Sequence, residues 1–239
     1  MRRGDYGYDA PIGLILFGGM TLVCTVLAVL TWSKPPGPIF AGYAVFFLAH
    51  AASFWFTTRH GKFAEWERIL DGLRLRGEER VLDMGCGRGA VLTAVARRLS
   101  TGRATGVDIW NTADQSGNAK AVTLRNAELE GVADRVDVET GDMRALPFPD
   151  ATFDLVVSSL AIHNIHPNDE RRRAVREGLR VLKPGGRIVI ADIRAISTYA
   201  KVLQTAGANL LERRRLGWRF WWGNCFAATR LLIARKAAQ

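Results

Sequence analysis

Cysteine is scarce in this chain, and the spacing of the cysteines excludes a disulfide-rich fold and a cysteine metal site. Cys24, Cys86 and Cys225 are spread over 239 residues. An odd number of cysteines at such wide separations makes neither a disulfide framework nor a CxxC metal site. We therefore expect a reducing compartment and no bound metal. Low-complexity tracts and internal repeats are also missing from the sequence, which leaves a globular composition.

The length and the charge set looser bounds. A chain of 239 residues is long enough for one α/β domain and an additional segment. The formal net charge of +10 is compatible with nucleic acid, an anionic membrane surface or an acidic substrate as partner. The sign of the charge does not choose among these partners.

Two N-terminal stretches contain no Asp, Glu, Lys or Arg. They cover residues 10–33 and 35–58, and each is about the length, roughly 20 residues, that crosses a hydrocarbon core as a helix. The sequence Lys34-Pro35-Pro36-Gly37-Pro38 between them predicts a tight turn. We interpret residues 1–60 as a transmembrane hairpin with spans at about 11–33 and 38–58, and residues 61–239 as the catalytic domain.

Basic residues flank this hairpin unevenly. Arg2 and Arg3 precede the first span, Arg59 and Lys62 follow the second, and Lys34 lies between them. The positive-inside rule therefore predicts a membrane protein with its catalytic domain on the cytoplasmic side. A cleaved signal peptide would have a shorter apolar region and a small-residue cleavage site. A buried soluble hairpin and a monotopic hairpin in one leaflet remain as alternatives.

Beyond the hairpin, short β-branched runs alternate with helical patterns. This alternation predicts a parallel sheet with helices on both faces. The predicted strands are residues 80–84, 102–109, 135–140, 153–158 and 187–193, and the predicted helices are residues 63–75, 90–100, 117–131 and 167–182.

A glycine-rich turn follows the first predicted strand. Residues 83–89 read Asp-Met-Gly-Cys-Gly-Arg-Gly and lead into a helix, which is the arrangement of a nucleotide-binding crevice. Glycine lets the backbone turn tightly and approach a ligand closely. Because Gly85, Gly87 and Ala90 also fit a dinucleotide-binding pattern, the turn alone does not identify the ligand.

Later features make the pattern more specific, and together residues 81–193 resemble the class I S-adenosylmethionine-dependent methyltransferases. The features are Asp83 two residues before the G-x-G-x-G run, Asp108 at the end of the next strand, Gly141-Asp142-Met143, FDLVVSS at 153–159 and LKPGGRIVI at 182–190. The resemblance implies a Rossmann-like, seven-stranded, mostly parallel sheet with helices on both faces, preceded here by the hairpin.

The same resemblance implies S-adenosylmethionine as cofactor and S-adenosylhomocysteine as product. It implies that Asp108 accepts both ribose hydroxyls and that Asp142 meets the adenine amino group. The expected cofactor-binding residues are Asp83, Gly85, Cys86, Gly87, Gly89, Asp108, Ile109, Asp142, Met143 and Ser158. We do not expect Cys86 to act as a nucleophile, because the sequence offers no activating base nearby.

Two histidines follow the fourth strand, where members of this family position the acceptor and the catalytic groups. His163 and His166 are candidates for a general base or a substrate hydrogen bond. The alternative is that one of them caps the next helix or faces solvent. In the loop after the second strand we favour Gln115 and Asn118 as helix caps, and Trp110 covers either the adenosine or the sheet edge.

These patterns favour methyl transfer to a small, lipophilic acceptor that reaches the site from the membrane. The alternatives are an RNA methyltransferase and a membrane-bound module that binds the cofactor without turnover. We do not expect nucleic acid as substrate, since Ser158-Ser159 departs from the motif used on nucleic acid bases. The arginine runs 171–173 and 213–215 are interpreted as solvated or lipid-facing, and residues 216–236 as the final antiparallel strands.

Replacing Asp108 with Ala should weaken cofactor binding by roughly 1.5 to 3 kcal/mol, because a charge-assisted hydrogen bond is lost. Titration calorimetry with S-adenosylmethionine measures this difference. An unchanged affinity would refute the role of Asp108 at the ribose.

Overall fold

The N-terminal part is a pair of antiparallel helices in the computed structural model, which describes residues 2–238. Helix α1 covers Pro11–Leu30 and helix α2 covers Pro36–Phe56. Helix α2 begins two residues earlier than predicted, because proline is tolerated in the first helical turn, where its missing N–H has no partner to lose. The turn between the helices is confirmed but lies three residues earlier than predicted, at Thr31–Pro35.

Helix α2 continues without a break into the catalytic domain. A π-helical turn, Thr57–Gly61, joins it to helix α3, which covers Lys62–Leu73. Helix α3 buries Trp66, Leu70 and other apolar residues on one face, which confirms the predicted amphipathic linker. The hairpin is therefore attached through continuous helix.

The catalytic domain is built on one seven-stranded sheet. Its strands are β1 (Arg80–Met84), β2 (Arg103–Asp108), β3 (Val136–Thr140), β4 (Phe153–Ser159), β5 (Leu182–Asp192), β6 (Ala208–Arg215) and β7 (Arg230–Lys236). The order is β3-β2-β1-β4-β5-β7-β6, with β7 antiparallel to both neighbours. The predicted Rossmann-like, mostly parallel sheet is confirmed.

Helices cover both faces of this sheet. The remaining helices are α4 (Ala90–Ala96), α5 (Lys120–Leu129), α6 (Asn168–Val181) and α7 (Ile196–Thr205). Helices α3, α4 and α5 pack on one apolar cluster, and α6 and α7 on the other. Val156 and Val157 of β4 are both fully buried, as expected for a central parallel strand covered on both sides.

The structure corrects the prediction for the C-terminal strands. Only residues 230–236 of the predicted stretch 216–236 form a strand, and the preceding strand is β6. Residues 216–229, named here the aromatic loop, form two short 3-10 turns. Gly217 and Gly223 have positive φ values of 74° and 91°, a backbone conformation that interrupts a strand.

The hairpin helices keep most of their apolar surface uncovered. Both are long and apolar enough to cross a membrane, and 11% of each apolar window is buried within the protein. Ile15, Val29 and Leu30 are each at least 70% exposed. Such an exposed surface is unlike that of a core helix in a soluble protein, which is mostly buried.

Gly61, at the joint between hairpin and domain, offers a test of this packing. A Cβ atom there would lie 1.7 Å from the Arg219 carbonyl oxygen. We expect Gly61→Ala to lower the free energy of unfolding by about 1 to 3 kcal/mol, because the aromatic loop must move.

Gly72 in helix α3 provides the matched control, because a Cβ atom there meets nothing within 4 Å. Gly72→Ala should raise stability by about 0.5 to 1 kcal/mol through helix propensity. Denaturant unfolding in detergent measures both variants. Equal effects of the two substitutions would contradict the described joint.

Candidate active site

A cavity of about 430 Å³ lies at the carboxyl edge of the sheet. It opens where the strand order reverses between β1 and β4, the position at which open α/β sheets bind ligands. Its volume lies within the range of small-molecule sites. The predicted site residues on its wall are Asp83, Gly85, Cys86, Gly87, Asp108, Ile109, Asp142, Met143, His163 and His166.

The glycine turn forms one wall of this cavity. Gly85 and Gly87 have φ values of 74° and 51°. A Cβ atom on Gly85 would lie 2.2 Å from the Ala161 Cβ, and one on Gly87 would lie 2.4 Å from the Gln115 Oε1. Both positions therefore require glycine, as predicted from the motif.

Asp83 is buried in this wall, with 2% of its surface exposed. Among residues 2–238, neither carboxylate oxygen has a hydrogen-bond partner of good geometry. Burial and the nearby charge of Asp108 raise the pKa of Asp83 to about 8. The backbone amide of Leu92 has a smaller, opposite effect on this pKa. An unpartnered buried carboxylate favours a cationic ligand, and S-adenosylmethionine carries an ammonium and a sulfonium group.

Asp108 organises the loops around the glycine turn. Its Oδ2 accepts from the Gly87 amide at 2.8 Å, and its Oδ1 accepts from the Trp110 amide at 2.7 Å and the Asn118 side-chain nitrogen at 3.2 Å. A carboxylate has about four acceptor positions. In this arrangement Asp108 can accept about one further hydrogen bond, so the expected contact to both ribose hydroxyls needs a rearrangement of the loop.

Asp142 lines the cavity and forms an ion pair with Arg144. Arg144 donates to its carboxylate from Nε at 2.8 Å and from Nη2 at 2.5 Å. This pairing lowers the pKa of Asp142. The carboxylate is therefore ionised and oriented, and an adenine amino group would share it with Arg144.

Two predicted cofactor residues lie away from the cavity wall. Ser158 is buried and donates from Oγ to the Met84 carbonyl at 2.8 Å. Ser159 lines the cavity in its place and accepts from the Trp66 indole at 2.8 Å, because neighbouring side chains of a strand point to opposite faces. Gly89 lies behind the turn, where a Cβ atom would meet Thr123 at 2.9 Å.

Cys86 lines the cavity but is not a nucleophile. Burial raises the pKa of its thiol well above the ordinary value, and the charges of Asp83 and Asp108 add to the shift. A thiol in this environment stays protonated and inert at neutral pH.

His163 is the better positioned of the two histidines. Its backbone amide donates to the Asp192 Oδ2 at 3.1 Å. Its Nδ1 lies 2.7 Å from the Asp192 Oδ1, although the two groups are not aligned for a hydrogen bond. Asp192 is fully buried, and Tyr199 donates to it at 3.4 Å. A carboxylate that orients a histidine leaves Nε2 for a ligand, as in acid-base sites.

His166 has a different environment. Its Nδ1 lies 3.4 Å from the Arg171 guanidinium. Both histidines line the cavity as predicted, and His163 is the stronger candidate for a base. Asp192 was not among the predicted site residues, although its position at the carboxyl end of the fifth strand could have indicated it.

Residues 2–10, named here the N-terminal strap, cover the glycine turn, a contact that no local sequence pattern predicts. Gln115 accepts from the Arg88 amide at 2.8 Å and donates to the Tyr6 carbonyl at 3.2 Å and to the Asp9 carboxylate at 2.9 Å. Gln115 and Asn118 are therefore loop contacts and not helix caps. Trp110 donates to Thr140 at the sheet edge.

Further contacts hold the strap on the domain. Arg88 donates to the Asp5 carboxylate at 2.7 Å, and Tyr6 shares a hydrogen bond with Thr93 at 2.8 Å. Asp9 lines the cavity and forms an ion pair with Lys62 at the start of α3. Residues 2–10 thus pack with the catalytic domain, although the sequence placed them in the hairpin.

Replacing Asp83 with Asn should raise stability and weaken cofactor binding. A carboxyl whose folded pKa is raised from 3.8 to about 8 holds its proton more tightly in the folded state, so the free energy of unfolding falls as pH rises between these values. Denaturant unfolding without cofactor should show this slope in the wild type and lose it in Asp83→Asn.

Calorimetry of the same variant should show that the affinity for S-adenosylmethionine is lower by about tenfold or more, since a charge-assisted contact is removed. Asp142→Asn is the control, because the pKa of Asp142 is lowered and its substitution leaves the slope from pH 4 to 8 in place. Identical pH profiles for wild type and Asp83→Asn would contradict the assignment.

Comparison with known proteins agrees with this geometry. A family model described as a methyltransferase domain matches residues 82–190. The ubiquinone/menaquinone biosynthesis C-methyltransferase UbiE of Roseobacter denitrificans is 34% identical over 56% of this chain and 50% of its own length. The 27-O-demethylrifamycin SV methyltransferase of Amycolatopsis mediterranei is 34% identical over 56% of this chain and 46% of its own. The chain spans about half the length of these relatives.

A solved structure shows the same fold. The geranyl diphosphate C-methyltransferase of Streptomyces coelicolor, in complex with Mg²⁺, geranyl diphosphate and S-adenosylhomocysteine, superposes with a TM-score of 0.58 at 17% identity, covering 73% of this chain and 79% of its own. The sheet order, the glycine turn and the matching family model agree with one another. Residues 82–190 of the chain thus form a methyltransferase domain of the class I S-adenosylmethionine-dependent type.

Proposed function

We propose that this protein transfers the methyl group of S-adenosylmethionine to a small, lipophilic acceptor that enters the cavity from a membrane. The observation that carries the proposal is the position of Trp222. This side chain lines the cavity and also packs edge-on against Phe54 of α2, with ring centroids 5.0 Å apart. One aromatic ring thus separates the reaction site from the apolar hairpin.

The rest of the cavity wall supports an apolar acceptor. The apolar side chains on the wall near the two histidines and helix α3 are Phe63, Trp66, Leu160, Ile165, Ile193 and Trp222. Apolar walls with a few polar groups are typical of sites for small organic molecules. UbiE, one of the relatives, is named for the biosynthesis of ubiquinone and menaquinone.

The hairpin supports a membrane location. Its two ends meet at the domain, where Asp9 before α1 pairs with Lys62 after α2. A hairpin that crosses a bilayer and returns has both ends on one side, and Arg2, Arg3 and Arg59 flank these ends. By the positive-inside rule this side is the cytoplasm. Confinement to the bilayer raises the encounter rate with an acceptor that partitions there.

The residues on the cavity wall account for the chemistry that the protein must supply. The bound cofactor supplies a methyl group on a sulfonium. The protein holds the acceptor in line with that group, and such positioning supplies much of the acceleration. Trp66 and Trp222 exclude water from the apolar side of the cavity. Where the acceptor still carries a proton, His163, oriented by Asp192, accepts it.

The arginine run 171–173 gives little support to an RNA substrate. Arg171 is 7% exposed and donates to the Ile165 carbonyl at 2.7 Å, and Arg172 pairs with Asp169 at 3.0 Å. Two of these three cations thus serve local contacts and do not form an open phosphate-binding surface.

Incubation of the purified protein with methyl-labelled S-adenosylmethionine and a membrane extract tests the proposal directly. We expect the label in a lipid-soluble small molecule. Label in an RNA fraction, with salt-sensitive RNA binding, would contradict the proposal. Cofactor binding without label transfer to any fraction would favour a module that binds without turnover.

His163→Gln tests the base. With the acceptor identified, we expect the rate of methyl transfer to fall by about 100-fold or more if the acceptor is protonated at attack, with unchanged affinity for S-adenosylhomocysteine. His60→Gln is the control, because His60 is exposed and lies off the cavity wall. An unchanged rate for His163→Gln with an alcohol or phenol acceptor would exclude this role.

A further inference from the structure

The aromatic loop, residues 216–229, is docked along the hairpin. Thr57 donates to the Trp221 carbonyl at 2.5 Å. The Asn224 side-chain nitrogen lies 3.3 Å from the His50 Nε2. A Cβ atom on Gly223 would lie 3.3 Å from the His50 ring and 3.4 Å from Phe17 of α1. The loop therefore contacts both helices.

The tip of the loop lies above the base of the hairpin. His50 precedes the end of α2 at Phe56 by six residues, a rise of about 9 Å along the helix axis. Asn224 therefore reaches well past the point where α2 joins the domain. If α2 crosses a bilayer, this depth corresponds to the interfacial layer and not to bulk water.

Two large apolar side chains of the aromatic loop are exposed. Phe226 is 94% exposed and Trp218 is 54% exposed. Trp218 also stacks on Phe56 at the end of α2, with ring centroids 5.2 Å apart. Exposed aromatic rings next to an apolar helix extend its uncovered surface onto the catalytic domain.

Cations accompany these rings. The Arg219 guanidinium lies 4.7 Å from the Trp218 ring centroid. Arg59 is exposed at the base of the hairpin, and residues 213–215, all arginine, are exposed at the end of β6. Aromatic rings with flanking basic residues are typical of the membrane-water interface, where anionic lipid headgroups attract each cation.

We propose that the aromatic loop is a third membrane-binding element, in which Phe226 near the tip and Trp218 at the base of the hairpin insert into the interfacial layer of an anionic phospholipid bilayer beside α2. The proposal rests on the proposed membrane location of the hairpin. Its consequence is that Trp222, in the same loop, is held at a fixed depth between the bilayer and the cavity. The lipid surface thereby places the entrance for the acceptor.

Cys225 provides a native reporter. It is exposed, whereas Cys24 and Cys86 are buried. The full chain, reconstituted in nanodiscs of phosphatidylcholine and phosphatidylglycerol, is labelled at Cys225 with an environment-sensitive fluorophore. Lipids carrying a nitroxide at a shallow acyl position act as quenchers. We expect strong quenching at Cys225.

Two further labelling sites in a Cys225→Ser background separate the outcomes. Leu30→Cys lies at the end of α1 that is far from the domain. Gln204→Cys lies at an exposed position of α7, away from the loop. Quenching at positions 30 and 225 but not at 204 supports the proposal. Quenching at 30 alone overturns it and leaves the membrane location intact, and no quenching at 30 overturns both.

Phe226→Asp and Phe226→Leu give a second measurement. The charged side chain should lower the quenching at Cys225 severalfold, and the apolar one should preserve it. Equal quenching in the two variants would overturn the proposal. Shielding of the label from aqueous iodide without quenching by lipid would identify a second protein copy as the occupant and would also overturn it.

Discussion

The site depends on a carboxylate that is buried without a partner. Asp83 is the last residue but one of the first strand, and the protein leaves both of its oxygens without a well-formed hydrogen bond. Burial of this kind is unfavourable unless a cation completes the site. The pKa of Asp83 is raised because the ionised carboxylate is unfavourable in this buried position. The glycine turn, the cavity and the loop held by Asp108 surround the position that such a cation would occupy.

The hairpin and the site share structural elements. Asp9 and Lys62, at the two ends of the hairpin, pair on the cavity wall, and Trp222 contacts the cavity on one side and α2 on the other. Removal of the hairpin would therefore expose the site and take away part of its wall. Under the proposed function, this arrangement links the apolar surface of the helices to the choice of acceptor.

The sequence was sufficient for the parts of the fold that are written locally. The glycine turn, the strand-end carboxylates and the hairpin all have short-range signals, and each was predicted at its observed place. It was harder to predict which of two neighbouring strand residues faces the cavity, because successive side chains point to opposite faces of the sheet. The prediction therefore named Ser158, whereas Ser159 faces the cavity.

Long-range contacts were not predictable from one sequence. The strap reaches the glycine turn through bonds between residues about 80 apart or more, such as Arg88 to Asp5, and no local pattern announces them. The pairing of His163 with Asp192 has the same character. The aromatic loop was misread as strand, since its apolar residues resemble strand residues, while the contacts that hold it come from the hairpin.

Calorimetry of S-adenosylmethionine binding at pH 7, in buffers of different ionisation enthalpy, tests the central claim most directly, because it counts protons released on binding. A pKa of about 8 leaves Asp83 mostly protonated at pH 7, and binding of a cation favours its ionised form. We predict release of close to one proton in the wild type and none in Asp83→Asn. Binding without proton release in the wild type would contradict the account.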